Sequence, residues 1–209
     1  MIKVLCMDVD GTLTDGKINI SKSGELYKSF SVKDGCGIND ILPKYGIIPV
    51  IITARHSSIV DIRCKEINIE KVYQGYRDKV KALNDITTEL HINKNSKGEY
   101  KGIAYIGDDL LDIECMKLAE YKGCPSDAID EIKEIADFVS DYKGGEGAVR
   151  QFIEWLVKIW FRITGTFIVA VVSYKGSFEL YAIENGIQGI KFLFPLLHTI
   201  IIYHTSRYK

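Results

Sequence analysis

Met1-Ile-Lys-Val-Leu-Cys-Met-Asp8-Val-Asp10-Gly11-Thr12 opens the chain with a mostly apolar run that ends in two aspartates and a glycine. Such a run is typical of a buried β-strand that is stopped by a turn. Asp8 and Asp10 are two positions apart, so they point to the same side of an ideal strand. Two carboxylates at this spacing repel each other, and a bound cation relieves the repulsion. Taken alone, the stretch fits a cation site and a strand with a polar turn equally well.

Apolar segments alternate with amphipathic segments downstream of this strand. Strands are predicted at residues 47–52, 72–73, 103–106, 138–139 and just before 125, and helices at 38–45, 58–67, 78–90, 111–119, 128–136 and from about 148. Residues 17–21 and 25–32 alternate like the arms of a β-hairpin, and 33–37 form a glycine-rich turn, in which Asp34 is interpreted as a turn former. The alternation predicts an α/β fold: a three-layer, doubly wound (Rossmann-like) parallel sheet with a hairpin insertion after the first strand.

Composition excludes some functional classes. The chain has 209 residues and a net charge of -1, which gives no electrostatic case for binding nucleic acid or an anionic membrane. Its five cysteines are odd in number and lack C-x-x-C spacing, which favours neither a disulfide framework nor a zinc site. With no signal-peptide pattern at the N-terminus, a cytoplasmic location is expected.

The last part of the chain differs in character. We expect one catalytic domain over residues 1–155 and an apolar C-terminal extension of uncertain structure over 156–209. The strongly apolar segments 167–172 and 192–203 are shorter than the ~20 residues of a spanning helix, so membrane contact is not expected. The extension is either packed structure or sequence foreign to the domain, such as out-of-frame or read-through sequence.

Polar motifs follow three of the long apolar strands. They are Asp8-x-Asp10, Thr53 and Asp108-Asp109. A parallel sheet places these strand ends along one edge, and Lys79 at the start of a helix can reach the same edge.

This set of residues suits phosphoryl transfer. Asp8 can attack phosphorus, Asp10 can protonate the leaving oxygen and then activate water, and Thr53 and Lys79 can stabilise the transferring oxygens. Mg²⁺ prefers such oxygen ligands. Asp112 lies one helical turn after Asp108 and can orient Lys79 or a metal-bound water.

The motifs Asp8-Val-Asp10-Gly11-Thr12, Ile52-Thr53, Lys79 and Gly107-Asp108-Asp109-Leu-Leu-Asp112 resemble those of the haloacid dehalogenase-like phosphatases. The resemblance implies Asp8 as nucleophile and Asp10 as acid/base. It also implies Mg²⁺ held by Asp8, the main-chain carbonyl of Asp10, and Asp108, with Asp109 and Asp112 just behind these ligands.

Further motifs are similar to the 3-deoxy-D-manno-octulosonate 8-phosphate phosphatase group, and this resemblance covers about residues 1–155. They are Asp15-Gly16, Lys33-Asp34-Gly35-x-Gly37-Ile38, Ile52-Thr53-Ala54-Arg55, Tyr73-Gln74-Gly75-x-x-Asp78-Lys79 and Gly144-Gly145-x-Gly147-Ala148-Val149-Arg150. The group implies hydrolysis of that sugar-acid phosphate in lipopolysaccharide biosynthesis. The alternatives are a phosphatase for nine-carbon sugar-acid (KDN or N-acylneuraminate) 9-phosphates, like the phosphatase-like domain of some sialic-acid cytidylyltransferases, and a non-catalytic oligomerisation module. Arg55 matches the eight-carbon pattern, and the intact carboxylates disfavour the module.

Spacing leaves no room for a cap domain. Only a hairpin and one helix fit between Asp10 and Thr53, and only one helix fits between Thr53 and Lys79. A neighbouring subunit can then exclude water, and the resemblance implies a homotetramer built from the hairpins. Arg55 is predicted to bind substrate, or else to pair with nearby Asp61 or Glu66. Arg150 is predicted to bind the substrate carboxylate of its own or a neighbouring subunit, or else to be a surface residue.

Overall fold

The computed structural model describes residues 1–164, 167–172, 178–184 and 187–194 of the chain. They divide into two compact units, Met1–Lys158 and Ile159–Lys209. The division at residue 155 drawn from the sequence stays a prediction.

A six-stranded parallel sheet forms the centre of the first unit. Its strands run in the order β5-β4-β1-β6-β7-β8. They are β1 (Val4–Met7), β4 (Ile48–Thr53), β5 (Lys71–Gln74), β6 (Tyr100–Ile106), β7 (Ala119–Cys124) and β8 (Phe138–Val139). Strand order reverses at β1, whose neighbours are β4 and β6. In open parallel sheets, ligands bind at this switch point, beyond the carboxyl ends of the strands.

Helices cover both faces of the sheet, which confirms the predicted α/β fold. The helices are α1 (Val32–Cys36), α2 (Ser58–Glu66), α3 (Lys79–Glu89), α4 (Ile113–Leu118), α5 (Asp130–Ile135) and α6 (Ala148–Thr164). Alternate residues of β1 point to opposite faces. Leu5 and Met7 join a core with residues of α2 and of the first part of α6. Val4 and Cys6 join a second core with residues of α3, α4 and α5.

The predicted hairpin follows β1 and is shorter than expected. Strands β2 (Asn19–Ser21) and β3 (Gly24–Tyr27) pair antiparallel. No cap domain interrupts the described part of the first unit, as the spacing predicted.

The glycine-rich turn predicted at 33–37 is wrong, and so is the interpretation of Asp34 as a turn former. Asp34 lies in helix α1, which begins after the N-cap Ser31 and continues as a π-helical turn, Gly37–Ile41. The glycines serve close packing here. A Cβ at Gly35 would lie 2.4 Å from Arg63 Nη2, so a side chain at that position would have to displace the end of the Arg63 side chain.

The second unit contains a three-stranded antiparallel sheet. Its strands are β9 (Phe167–Val172), β10 (Phe178–Glu184) and β11 (Ile187–Phe194), in the order β11-β10-β9. The rest of the predicted apolar segment 192–203 lies outside the described residues. Within the described part of the chain, no helix combines the length and apolarity needed to cross a membrane.

Candidate active site

Three aspartates meet at the carboxyl edge of the sheet, where the sequence predicted a site. Asp8 follows β1, and Asp108 and Asp112 follow β6. Each offers a carboxylate oxygen, and these oxygens lie within 4.8 Å of one another. Asp8 and Asp112 are buried and Asp108 is half-buried.

Lys79 supplies positive charge to this cluster from the first turn of α3. Its Nζ lies 2.7 Å from Asp8 Oδ1 and 2.7 Å from Asp112 Oδ1, and only 2% of its side chain is exposed. Burial alone would lower the pKa of Lys79, but the two carboxylates outweigh burial and raise that pKa above its usual range. Lys79 is therefore a fixed ammonium group at the sheet edge.

Asp112 is saturated with donors, as expected for a residue that orients others. Besides the Lys79 ammonium, Tyr105 donates its hydroxyl to Oδ1 at 2.7 Å. The backbone N–H groups of Asp108 and Asp109 donate to Oδ2 at 3.2 and 3.4 Å. Asp109 in turn accepts the N–H of Leu110 at 2.7 Å and completes a capping box with Asp112. The sequence analysis missed Tyr105, although a tyrosine inside an apolar strand signals a hydroxyl that needs a buried partner.

Asp108 packs against the turn that follows β1. Thr12 donates its hydroxyl to Asp108 Oδ1 at 2.8 Å. A Cβ at Gly11 would lie 2.0 Å from Asp108 Oδ2, and Gly11 has a φ of +97°, so only glycine fits there. From behind, a Cβ at Gly144 would lie 1.9 Å from the Gly11 carbonyl oxygen, and Gly145 donates its N–H to the Thr12 carbonyl at 3.1 Å. The turn is thus held between Asp108 and the glycine loop before α6.

Two carboxylates of this cluster, Asp8 and Asp108, are reluctant to ionise. Burial and the nearby Asp112 carboxylate raise the pKa of Asp8 well above its usual range, against the opposing effect of Lys79. Burial also raises the pKa of Asp108 to about 7, although the Thr12 hydroxyl opposes the shift. Three carboxylates face one ammonium group, and all the donors are oxygen atoms. This set fits a hard divalent cation such as Mg²⁺, whose charge would favour the ionised forms.

Asp10 lies beside the cluster and pairs with two cations. Lys28, just after β3, forms an ion pair with Asp10 Oδ1. Arg55 Nε lies 3.5 Å from Asp10 Oδ2. Sequence reasoning missed Lys28, because a lysine on a short hairpin is usually solvated and nothing local marks its partner.

Thr53 and Arg55 lie at the end of β4, next to the edge of the sheet where they were predicted. Thr53 is the last residue of β4 and is 3% exposed. Arg55 follows two residues later, is exposed, and contacts Asp10 and Glu25. The surface partners considered for Arg55 are engaged elsewhere: Asp61 accepts from Gln74, and Glu66 pairs with Arg63.

Arg150 is a predicted site residue that the described contacts do not join to the aspartates of the site. It lies in the first turn of α6, and its Nε is 2.7 Å from Glu154. Its backbone N–H donates to Asp34 Oδ1 at 2.8 Å. Among the described residues it forms no ion pair with Asp8, Asp10, Asp108, Asp109 or Asp112, so its role toward substrate stays a prediction.

Comparisons with known proteins agree with the fold. The family model described as haloacid dehalogenase-like hydrolase matches residues 44–153. The 3-deoxy-D-manno-octulosonate 8-phosphate phosphatase of Escherichia coli K12 is 36% identical over 156 residues, which cover 75% of this chain and 79% of the relative.

Solved structures show the same similarity. The Moraxella catarrhalis phosphatase of that name, in complex with magnesium ion, phosphate ion and KDO, is 38% identical, with a TM-score of 0.69 over 75% of this chain and 86% of that chain. The cobalt-bound Haemophilus influenzae phosphatase is 30% identical, with a TM-score of 0.69 over 75% and 88%.

The fold and the site define a haloacid dehalogenase-like phosphatase without a cap domain. Within that class, the chain belongs to the 3-deoxy-D-manno-octulosonate 8-phosphate phosphatase family.

Proposed function

We propose that this protein is a Mg²⁺-dependent phosphatase that converts 3-deoxy-D-manno-octulosonate 8-phosphate into the free sugar acid and phosphate. The observation that carries the proposal is the buried Asp8 carboxylate at the end of β1, held by Lys79 and facing Asp108. A relative 38% identical to this chain holds magnesium, phosphate and KDO together.

The reaction has two steps on this chain's own residues. Asp8 attacks phosphorus, the bond to the sugar oxygen breaks, and Asp10 gives its proton to that oxygen. Asp10 then takes a proton from water, which attacks the aspartyl-phosphate, releases phosphate and regenerates Asp8. Lys79 and the Thr53 hydroxyl stabilise the charge on the transferring oxygens.

The carboxylates of Asp8 and Asp108 and the main-chain carbonyl of Asp10 would hold Mg²⁺. When bound, the ion supplies positive charge that favours ionised carboxylates and stabilises the phosphoryl oxygens. Asp112 and Asp109 would support these groups without binding the ion. Asp112 orients Lys79 and accepts the backbone N–H of Asp108, and Asp109 fixes the turn that contains Asp112.

Substrate selection would come from cations around the opening and from a second copy of the chain. Arg55 lies next to Asp10 and is exposed enough to reach a substrate carboxylate. A two-stranded hairpin is only marginally stable alone, and a capless site needs another means to exclude water. A homotetramer, with Arg150 serving its own or a neighbouring site, would meet both needs. We propose that this enzyme is cytoplasmic and acts in lipopolysaccharide biosynthesis.

Phosphate release from eight-carbon and nine-carbon sugar-acid phosphates, assayed side by side with Mg²⁺, tests this proposal. We expect the eight-carbon substrate to be preferred and Asp8→Asn to abolish release, while the exposed Asp40→Asn on the same protein leaves it unchanged. Activity that survives Asp8→Asn refutes the nucleophile, and a nine-carbon preference refutes the substrate. Sedimentation at the assay concentration should show a tetramer, and a monomer would contradict the proposed assembly.

A further inference from the structure

Lys28 is a buried ammonium group that the proposed mechanism does not use. Only 2% of its side chain is exposed, although it follows a short hairpin strand. Lysine is almost never buried to this extent unless it is paired. Its Nζ pairs with Asp10 Oδ1 and lies 3.2 Å from Glu25 Oε1.

The position of Lys28 is fixed by contacts on both sides. Glu25 Oε2 accepts the hydroxyl of Ser57, which is also the N-cap of α2. Ser57 donates its backbone N–H to Gln74 at 2.9 Å. The hairpin is therefore anchored to the segment that follows β4, which is itself bonded to the last residue of β5, and this anchor places the ammonium group of Lys28 against Asp10.

The two oxygens of Asp10 are held differently. Oδ1 is bound by the buried Lys28, whereas Oδ2 has the longer, 3.5 Å contact with Arg55, whose side chain is 47% exposed. An exposed arginine is free to turn toward a substrate, but a buried lysine is not. Oδ2 is therefore the oxygen available for proton transfer.

We propose that Lys28 is a positioning residue for Asp10: it fixes Oδ1 so that Oδ2 faces the leaving oxygen. This inference rests on the proposed phosphatase function. As the phosphorus–oxygen bond breaks, the proton on Asp10 moves to the leaving oxygen, and the new Asp10 carboxylate forms its ion pair with Lys28. The hairpin thereby contributes to the chemical step of its own subunit.

A merely structural lysine would affect all substrates alike, whereas a residue that positions the acid would not. A sugar phosphate expels an alkoxide, which needs a proton, but p-nitrophenyl phosphate expels a stable phenolate, which does not. General acid catalysis typically contributes about 10²–10⁴-fold to a rate. Asp10 also activates water in the second step, which both substrates share, so the comparison is made on the first turnover alone. Lys28→Met should lower the first-turnover rate of sugar release by about 10-fold or more and change the first-turnover rate of p-nitrophenolate release by less than about 3-fold.

Three variants complete the test. Lys28→Arg keeps the charge and should restore most of the sugar-phosphate activity. Lys44→Met, at an exposed position outside the hairpin and the site, should leave both activities at the wild-type level. In an Asp10→Asn background, Lys28→Met should cause no further loss, because two residues that act through one group are not additive.

Equal losses of first-turnover rate on both substrates, or no loss on either, would overturn the role of Lys28. An independent, multiplicative loss in the Asp10→Asn background would do the same. The wild-type arm tests the proposed function separately. If the wild type hydrolyses no alkyl phosphate, the proposed function and the role of Lys28 both fall. If it does and the substrate ratio is unmoved, only the role of Lys28 falls.

Discussion

Asp34→Asn should stabilise the protein near neutral pH. Asp34 is 1% exposed in α1, and its Oδ2 has no hydrogen-bond partner among the described residues. Burial raises the pKa of Asp34 from 3.8 to about 6, even though the backbone N–H of Arg150 favours the carboxylate. Ionising this side chain in the folded protein is therefore costly.

The size and the sign of the effect follow from this pKa. Because the pKa is higher in the folded than in the unfolded state, the folded state binds the proton more tightly. The contribution of Asp34 to the free energy of unfolding is therefore full below about pH 4 and falls as pH rises to about 6. At 1.36 kcal/mol per pKa unit, the loss at pH 7 is about 3 kcal/mol. Asparagine carries no charge and still offers an oxygen to the Arg150 N–H, so it avoids this loss.

Urea unfolding from pH 4 to pH 8, followed by tryptophan fluorescence, measures the effect. The stability difference between Asp34→Asn and wild type should grow in favour of the variant from pH 4 to about pH 6 and then stay constant. Asp108, whose pKa is also raised, is present in both proteins and cancels in the difference. Asp40→Asn removes the same charge from an exposed position nearby and is the control. A difference that is flat with pH, or that turns against Asp34→Asn as pH rises, would refute the reasoning.

Two further predictions concern the aspartate cluster and the turn after β1. Lys79→Met leaves buried carboxylates without their cation and should lower the free energy of unfolding by about 3–5 kcal/mol in urea titrations. Added Mg²⁺ should restore part of this loss. A loss under about 1 kcal/mol would contradict the proposed cost of leaving these carboxylates buried and unpaired. Gly11→Ala pushes a Cβ into Asp108 and should weaken Mg²⁺ binding by about 10-fold or more in calorimetric titrations. Gly46→Ala, which also has positive φ but meets nothing within 4 Å, should leave Mg²⁺ binding unchanged, and equal effects would contradict the steric explanation.

The sheet and the core of the site were predictable because both depend on short-range patterns. Apolar runs located β1, β4 and β6, and the rule for parallel strand ends brought Asp8, Thr53 and Asp108 to one edge. Lys79 was found from its motif.

The parts that were missed depend on long-range packing. The contact of Lys28 with Asp10 exists only because the hairpin folds back and Glu25 meets Ser57. In the helix that contains Asp34, the end of the distant Arg63 side chain occupies the space that a Cβ at Gly35 would take. Neither contact leaves a signal in the local sequence.

The loop at residues 144–147 has a consequence for the order in which the enzyme matures during synthesis. A ribosome has already delivered every proposed catalytic aspartate once Asp112 has emerged. The turn at Gly11 is still unsupported on one side, because Gly144 and Gly145, which pack against it, are synthesised later. A nascent chain halted between Asp112 and Gly144 contains every proposed catalytic aspartate, but its turn at Gly11 is not yet held in place. Activity should therefore begin only when the loop at residues 144–147 has left the exit tunnel.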